Sequence, residues 1–373
     1  MDFSLGEDRQ MLADMLSRFL QSQYDFTSRE VIAASPQGMS AEVWQKLADL
    51  GVIGALFDPS CGGFGGNGFD VGVVFAEIGR ALVVEPLLAT MCAGRVLARS
   101  RPNLVEQIIS GSKFIAFAHE EPDARVSIDA IETVAEEVEN HWRLTGRKSV
   151  VASAGQAHSY VVTARVNGVG PHNLGTFLVG KNAEGLGVRN YALMDGGQAG
   201  DLEFENTPAE LINALDQNAA IIEDALAAGV VALCWEAVAI MDVIKQQTLE
   251  YLRMRTQFGV AIGTFQAVQH RMANVALEIE QARSAAINVA ALLDNRGIDQ
   301  KRAIAGAKFT IGRVGSLVAE EAIQLHGAIG MTWELPMSHY AKRLIMIGHQ
   351  YGDEDHHLAQ YIALADVPES QSD

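Results

Sequence analysis

Hydrophobic and polar positions fall into three textures along the chain. In "EDRQMLADMLSRFLQSQY", Met11, Met15, Phe19 and Leu20 recur at helical spacing. "SAEVWQKLADLGVIGALF" starts at Ser40, whose hydroxyl suits a helix N-cap. "FDVGVVFAEIGRALVVEPLLATMCAGRVLA" is apolar on nearly every side, which predicts helix lying deep among other helices. Residues 1–112 thus predict an α-helical N-terminal domain.

The texture changes near residue 113. "KFIAFAHEEP", "ETVAEEVEN", "HWRLTGRKSVVASA", "SYVVTARV", "GTFLVG" and "GDLEFEN" are short, rich in β-branched and aromatic residues, and separated by Gly, Asn and Pro. They predict strands, with Tyr160–Ala164 an interior one and the last strand ending near Pro208. This middle β domain is placed at 113–215. Beyond it, Phe265, Val268, Met272, Val275, Ile279, Ala282 and Ala286 mark the core face of a long helix. A second long helix follows and is closed by Gly327. Residues 216–373 predict a C-terminal helical bundle domain. Helices, then strands, then helices is α+β layering in separate domains, not βαβ alternation.

Composition narrows the function classes. The formal charge of −18, with no basic stripe, repels polyphosphates and argues against nucleic-acid binding. An anionic cofactor would need local arginines and backbone amides. The sequence shows no apolar run of the roughly 20 residues a membrane span needs, so no membrane partner is expected. The acidic start has no apolar signal core, and the three widely spaced cysteines suit a reducing cytosol, so a cytoplasmic location is expected.

Three segments carry candidate chemistry. "GGFGGNG" contains G-x-G-x-x-G at Gly63, Gly65 and Gly68. A dinucleotide fingerprint belongs in a doubly wound parallel sheet, and the predicted flanks are helical, so a turn between helices is the reading and a nicotinamide oxidoreductase a remote alternative. "RMRTQFGVAIGTFQAVQH" places Arg255 and Gln257 before Phe258 and Gly259. A guanidinium neutralises a pyrophosphate, an aromatic stacks on adenine, and a helix start offers free N–H groups. A surface arginine at a helix–loop–helix corner is the plainer alternative. "IQLHGAIGMTWELP" sets Gln324 ahead of Gly327 and Gly330, where small residues let the backbone approach a flat or phosphorylated ligand; a plain helix end is the alternative.

"RTQFGVAIGTFQAVQHRMANV" and "QLHGAIGMTWELP" together resemble the acyl-CoA dehydrogenases, and the resemblance runs over nearly the whole chain. "MDFSLGEDRQML" resembles the family's opening helix, "CGGFGGNG" its early glycine loop and "LTGRKSVVASAGQAHSYVVTARV" its central β domain. "YDFTSR", "GRALVVEPLLAT", "AFAHEE" and "YGDEDHH" are similar to small subunits of the pimeloyl-CoA dehydrogenase type. The resemblance implies an α-helical domain, a β-barrel-like middle and a four-helix C-terminal bundle. It implies FAD as cofactor and α,β-dehydrogenation of an acyl-CoA thioester to a trans-2-enoyl-CoA. That chemistry needs a carboxylate base, hydrogen-bond donors to the thioester oxygen and a flavin held dry.

Carried over by residue, the resemblance assigns Arg255, Gln257 and Phe258 to FAD diphosphate and adenine, usually across a subunit interface. It assigns Gln324, Gly327 and Ala328 to a second FAD-binding turn, with Ala328 where the family usually has glycine. In the middle domain the family often reads G-x-K-x-W-I-T, its tryptophan on the flavin and its threonine near N5. Here Gly146, Lys148, Val150, Val151 and Ala152 stand in that run, so both side chains are absent and only a backbone amide remains for N5. The family's "TEP" loop reads "HEEP", His119 to Pro122.

The usual glutamate base falls, by count from Pro336, on Tyr351, a poor base at an ordinary pKa near 10. The alternative family position falls near Gly229, with Glu223 and Asp224 more than a turn upstream. "HQYGDEDHH" then has three readings: a metal site, disfavoured because adjacent His356 and His357 cannot aim at one ion from a regular helix; a helix start capped by Asp353 or Asp355; and a displaced base at Asp353 or Glu354. No metal is assigned. Asp353 is the candidate catalytic residue, and capping does not exclude that role. The expected partners are an acyl-CoA substrate and either a homologous large subunit in an α2β2 enzyme or further copies in a homotetramer. A non-catalytic, FAD-contributing subunit is the alternative to a working dehydrogenase. Subfamily likeness points to a dicarboxylyl-CoA or a bulky thioester such as a steroid side chain.

Overall fold

A computed structural model describes residues 6–123, 127–166 and 174–365. In chain order it has α1 (Glu7–Gln23), α2 (Phe26–Ala33), α3 (Ala41–Asp49), α4 (Gly68–Ala81), α5 (Leu87–Leu97) and α6 (Pro102–Ile109). Seven strands follow: β1 (Ile115–Ala118), β2 (Val134–Val138), β3 (His141–Ala152), β4 (Ser159–Val166), β5 (Leu174–Gly180), β6 (Leu186–Ala192) and β7 (Gln198–Leu211). The chain continues through α7 (Asn218–Met254), a small hairpin of β8 (Thr256–Gln257) and β9 (Val260–Ala261), α8 (Gln266–Ala291), α9 (Ile298–His326), α10 (Pro336–His349) and α11 (Glu354–Ala365). The α+β class expected from the sequence is the class observed.

The described chain falls into two compact units. One combines Thr27–Asp70 with Val84–Gly229. Its seven-stranded sheet runs β1-β4-β2-β3-β7-β5, with β6 on β7, and the β4–β5 pairing closes it on itself. Closure removes most free strand edges, whose unpaired N–H and C=O groups would otherwise need partners. The interior is apolar: Leu144, Tyr160, Val162, Phe177, Leu202 and Phe204 are buried in one cluster. Tyr160–Ala164 are all buried, as expected for an interior strand. β6 was not anticipated; only Leu186 and Tyr191 are half-buried, so it lacks the alternation that marks strands in a sequence. β7 runs past the expected end at Pro208 to Leu211, with Pro208 paired opposite Arg143.

"GGFGGNG" is a turn, as read. "VIGALF" forms a single 3₁₀ turn rather than a strand, so the dinucleotide fingerprint lacks its sheet. Asp58 caps the next short turn by accepting from Ser60 N (2.8 Å), and Asn67 accepts from Phe69 N (2.9 Å) to start α4. A Cβ at Gly63 would lie 2.0 Å from the Phe57 carbonyl oxygen, which explains the glycine without invoking a nucleotide.

The other unit combines Met1–Phe26, Val71–Val83 and Val230–Asp373. Ile240, Met241, Ile279, Ala282, Val314, Val318, Leu344 and Ile347 fill its helical core. In α8, Met272, Val275, Ile279, Ala282 and Ala286 are buried as expected, while Phe265 at the helix start is partly exposed. Of the expected α1 face, Leu20 is buried, Met15 and Phe19 are half-buried and Met11 lies out in solvent, while Leu16, which was not expected, is buried with Leu20. Tyr24, buried beyond the helix end, prolongs the i, i+4 row from Leu16 and Leu20, so this row takes the core. Gly79 on α4 approaches α7 so closely that a Cβ there would sit 2.6 Å from Glu236 O. α7 is long and apolar enough to cross a membrane by length and composition, yet 83% of its apolar window is covered by protein here.

Candidate functional site

The end of α7 builds the first candidate element. Ser-, Asn- or Gly-rich hairpin turns normally supply residues that tolerate positive φ. Here Phe258 and Gly259 take those two positions, at φ 51° and 82°. An aromatic at positive φ is strained by about 1–3 kcal/mol. Phe258 is also 93% exposed. Its ring contact within the chain is an edge-to-face approach to Phe265, itself partly exposed, with centroids 6.2 Å apart. Arg255 and Gln257 are exposed beside it, and the Arg255 guanidinium makes no ion pair among the described residues. Gln257 donates only to Thr256 O (2.8 Å).

The second element is the end of α9. Gln324, Gly327 and Ala328 are all exposed. Gly327 closes the helix at φ 69° with its N–H on Ile323 O, and a Cβ there would meet nothing within 4 Å. Ala328 lies in the following 3₁₀ turn without positive φ, so its methyl needs no backbone strain. The two elements are joined at their bases. Tyr251 stacks on His326 with ring centroids 4.5 Å apart, and its hydroxyl donates to His326 O (3.2 Å). Burial holds the His326 imidazole below its usual pKa. The Arg255 turn and the Gln324 turn are thus brought side by side by a contact sequence reasoning did not anticipate.

In the β unit, the "GRKSVVA" run is the least regular part of β3. Its register against β7 breaks between Lys148 and Val151, and Val150 has φ 52°. Lys148 is fully buried and donates to Glu121 Oε1 (2.7 Å), His119 O (2.9 Å) and Thr163 Oγ1 (3.1 Å). Burial pulls its ammonium down to about 8 against the pull of Glu121. Burial pushes Glu121 up, but Lys148 and the hydrogen bonds from Thr133 and Glu132 outweigh it and hold the carboxyl below its ordinary range. The "HEEP" loop is thereby fixed to β3. On the outer face Val150 is half-exposed and its N–H points to Asp201 Oδ1 (3.3 Å). The Val150 amide is thus already engaged. A hollow of about 480 Å³ lies beside this bulge, lined by Pro122, Ser149, Val188, Arg189 and Asp201 among others.

The loop between α10 and α11 answers the "HQYGDEDHH" question. Asp353 is the cap: its Oδ1 accepts from His356 N (3.0 Å), while Asp355 lies inside α11. Tyr351 has φ 54° and Gly352 φ 102°; a Cβ on Gly352 would sit 2.7 Å from the His356 ring. The buried Lys308 ammonium donates to Gly348 O (3.0 Å) and Gly352 O (2.8 Å). His357 Nε2 bonds Tyr351 O (2.9 Å), which makes Nε2 the protonated nitrogen and leaves the buried Nδ1 without a partner. Arg343 grips buried Glu236 through two bonds (2.6 and 2.8 Å) and donates to Gln350 Oε1 (3.0 Å). The turn carrying Tyr351 is therefore held by Lys308 and Arg343, which the sequence did not mark, and by His357, which it marked only as a disfavoured metal ligand.

Comparison with known proteins matches this architecture. The acyl-CoA dehydrogenase N-terminal, middle and C-terminal domain families match residues 6–100, 116–207 and 219–358. Together the three matches span most of the chain and place it among flavoprotein oxidoreductases acting on CH–CH bonds. The chain belongs to the acyl-CoA dehydrogenase family, whose cofactor is FAD. It is 26% identical over 366 residues to a glutaryl-CoA dehydrogenase of Desulfococcus multivorans, covering 91% of this chain and 92% of that one. It is 27% identical over 341 residues to the acyl-CoA dehydrogenase IpdE2 of Mycobacterium tuberculosis, covering 90% and 91%. Among solved structures, a Tcur3481-Tcur3483 steroid ACAD variant superposes with TM-score 0.88 at 27% identity, over 97% of this chain and 98% of that one.

The donor set fits the cofactor in part. The exposed Arg255 guanidinium, without an ion pair among the described residues, the Gln257 amide, the projecting Phe258 ring and the open Gly327 turn suit a diphosphate and an adenine. The Val150 bulge offers an apolar edge but neither a stacking ring nor a hydroxyl.

Proposed function

We propose that this chain is the small subunit of a heteromeric acyl-CoA dehydrogenase. It lends its Arg255–Gln257–Phe258 arm to FAD while a homologous partner carries the base. FAD, when bound, takes up the hydride from the substrate's β carbon. Arg255 neutralises diphosphate charge, Phe258 covers the adenine, and Gly327 lets the backbone come close. The observation that carries this reading is Tyr351 in the place of the carboxylate. It sits in a left-handed turn, and a phenol titrating near 10 does not take an α proton at neutral pH. The strained and largely exposed Phe258 supports a role toward another subunit. The similar steroid ACAD is named for two proteins, which is consistent with a paired assembly and makes a bulky acyl-CoA thioester the first substrate to try. A cytoplasmic α2β2 tetramer is the assembly proposed.

The deciding measurement is FAD per chain after purification alone and with the partner subunit encoded beside it. Colour and turnover that appear only on co-expression support the reading. Stoichiometric FAD and acyl-CoA oxidation by this chain alone overturn it. A second reading keeps Asp353 as a displaced base, favoured by its half-exposed position two residues from Tyr351. Asp353→Asn retains an oxygen for the cap, so lost turnover with an unchanged melting temperature would assign it the proton. Retained turnover hands that step to the partner.

A further inference from the structure

The β3 bulge is held in place from both sides. Beneath it, Lys148 is locked in the barrel interior by Glu121, His119 and Thr163. Above it, one carboxylate on β7, that of Asp201, collects three donors from two neighbouring strands: Val150 N of β3 (3.3 Å) and Tyr191 Oη of β6 (2.8 Å) on Oδ1, and the Arg189 guanidinium of β6 on Oδ2. Val150 is β-branched and sits at φ 52°, where its two γ-carbons crowd the backbone. Strain of that kind persists only where surrounding structure over-determines it. A bulge that merely ended a strand would not need an ion-paired carboxylate to hold it. This one turns a half-exposed valine outward beside a hollow of about 480 Å³ that Asp201 itself lines.

We propose that Asp201 is a positioning residue, a clasp that fixes the left-handed Val150 bulge and so sets the apolar wall against which the flavin is held. The inference rests on the reading of "GRKSVVA" as the flavin-side segment of this chain. Asp201 does not itself act on the substrate. Its carboxylate takes up the Val150 amide, and Tyr191 and Arg189 keep the carboxylate in place. Burial raises the Tyr191 phenol, and the neighbouring carboxylate raises it further, to about 12, so the clasp hydroxyl stays a donor through the neutral range.

The test uses the assembled enzyme and two readouts other than activity. The first is hydrogen exchange of the 146–152 segment; the second is the FAD dissociation constant with the flavin absorption spectrum. Asp201→Ala should speed exchange at Val150 and weaken FAD about tenfold, the size expected for losing a hydrogen bond to a charged group. Tyr191→Phe removes one donor and should give a smaller change in the same direction. Val150→Gly accepts positive φ without strain, so adding Asp201→Ala to it should weaken FAD by less than in the wild type. Unchanged exchange in Asp201→Ala overturns the clasp. Faster exchange with unchanged FAD affinity and spectrum overturns the positioning role. Arg255→Ala separates this inference from the functional reading: if it leaves FAD content intact the reading fails, whereas FAD lost there but not in Asp201→Ala sinks only the clasp.

Discussion

Two buried side chains make opposite cases about charge inside this protein. Lys148 keeps its ammonium because Glu121 answers it at 2.7 Å. Removing one partner strands the other, so Lys148→Met should cost about 3–5 kcal/mol in denaturant unfolding. Lys148→Met with Glu121→Leu should recover most of that loss; a double variant as unstable as the single would show that the pair is not the cause. His357 is buried neutral, and burial pulls it down to about 4. Tyr351 O and Asp353 favour its charged form, Lys308 and His356 oppose it. Between pH 6.5 and 4 the unfolded chain binds the proton that the folded chain refuses. Stability therefore falls as pH drops through that window, by about 3 kcal/mol in all, and levels off below it. His357→Gln removes the titration and should flatten the profile between pH 7 and 4.5; an equally steep profile would place the sensitivity elsewhere. The sequence marked both positions, Lys148 in a family run and His357 in a histidine-acid cluster, but not their burial, because what buries and holds them is partners drawn from other strands and turns.

Elements were legible where one period governed them. Ser40 accepts from Val43 N as its cap role predicts (3.3 Å), and α8 buries the positions its spacing marks from Met272 onward. Prediction failed where the rule was interrupted: β6 lacks alternation, and α1 turns a neighbouring row inward. The β8–β9 hairpin is the sharpest case, because its turn violates local preference at Phe258. Phe258→Asn would supply the residue such a turn favours before Gly259. It should raise stability by about 0.5–1 kcal/mol while lowering FAD content in the active assembly. A stability gain with no loss of FAD would leave the ring without a role.

At the scale of the whole molecule the question is which chain completes the site. The arm carries a guanidinium with no ion pair among the described residues and a ring 93% in solvent, and under the proposed function its counterpart is another subunit. Arg255→Ala should reduce bound FAD in the partnered enzyme several-fold without shifting the melting temperature, because the residue supports nothing within its own chain. A matching loss of stability would assign it a structural role instead. The sequence by itself determined the α+β layering, the interior strand at Tyr160–Ala164 and the two motifs that carry the family resemblance. These depend on residue type and short spacings, which survive in one dimension. Only the tertiary structure decided that Tyr251 and His326 bring those motifs together, that Asp353 and not Asp355 starts α11, and that Asp201 takes the Val150 amide. Each of those joins groups whose meeting depends on how the chain turns between them, and local preference along the sequence carries no record of that turn.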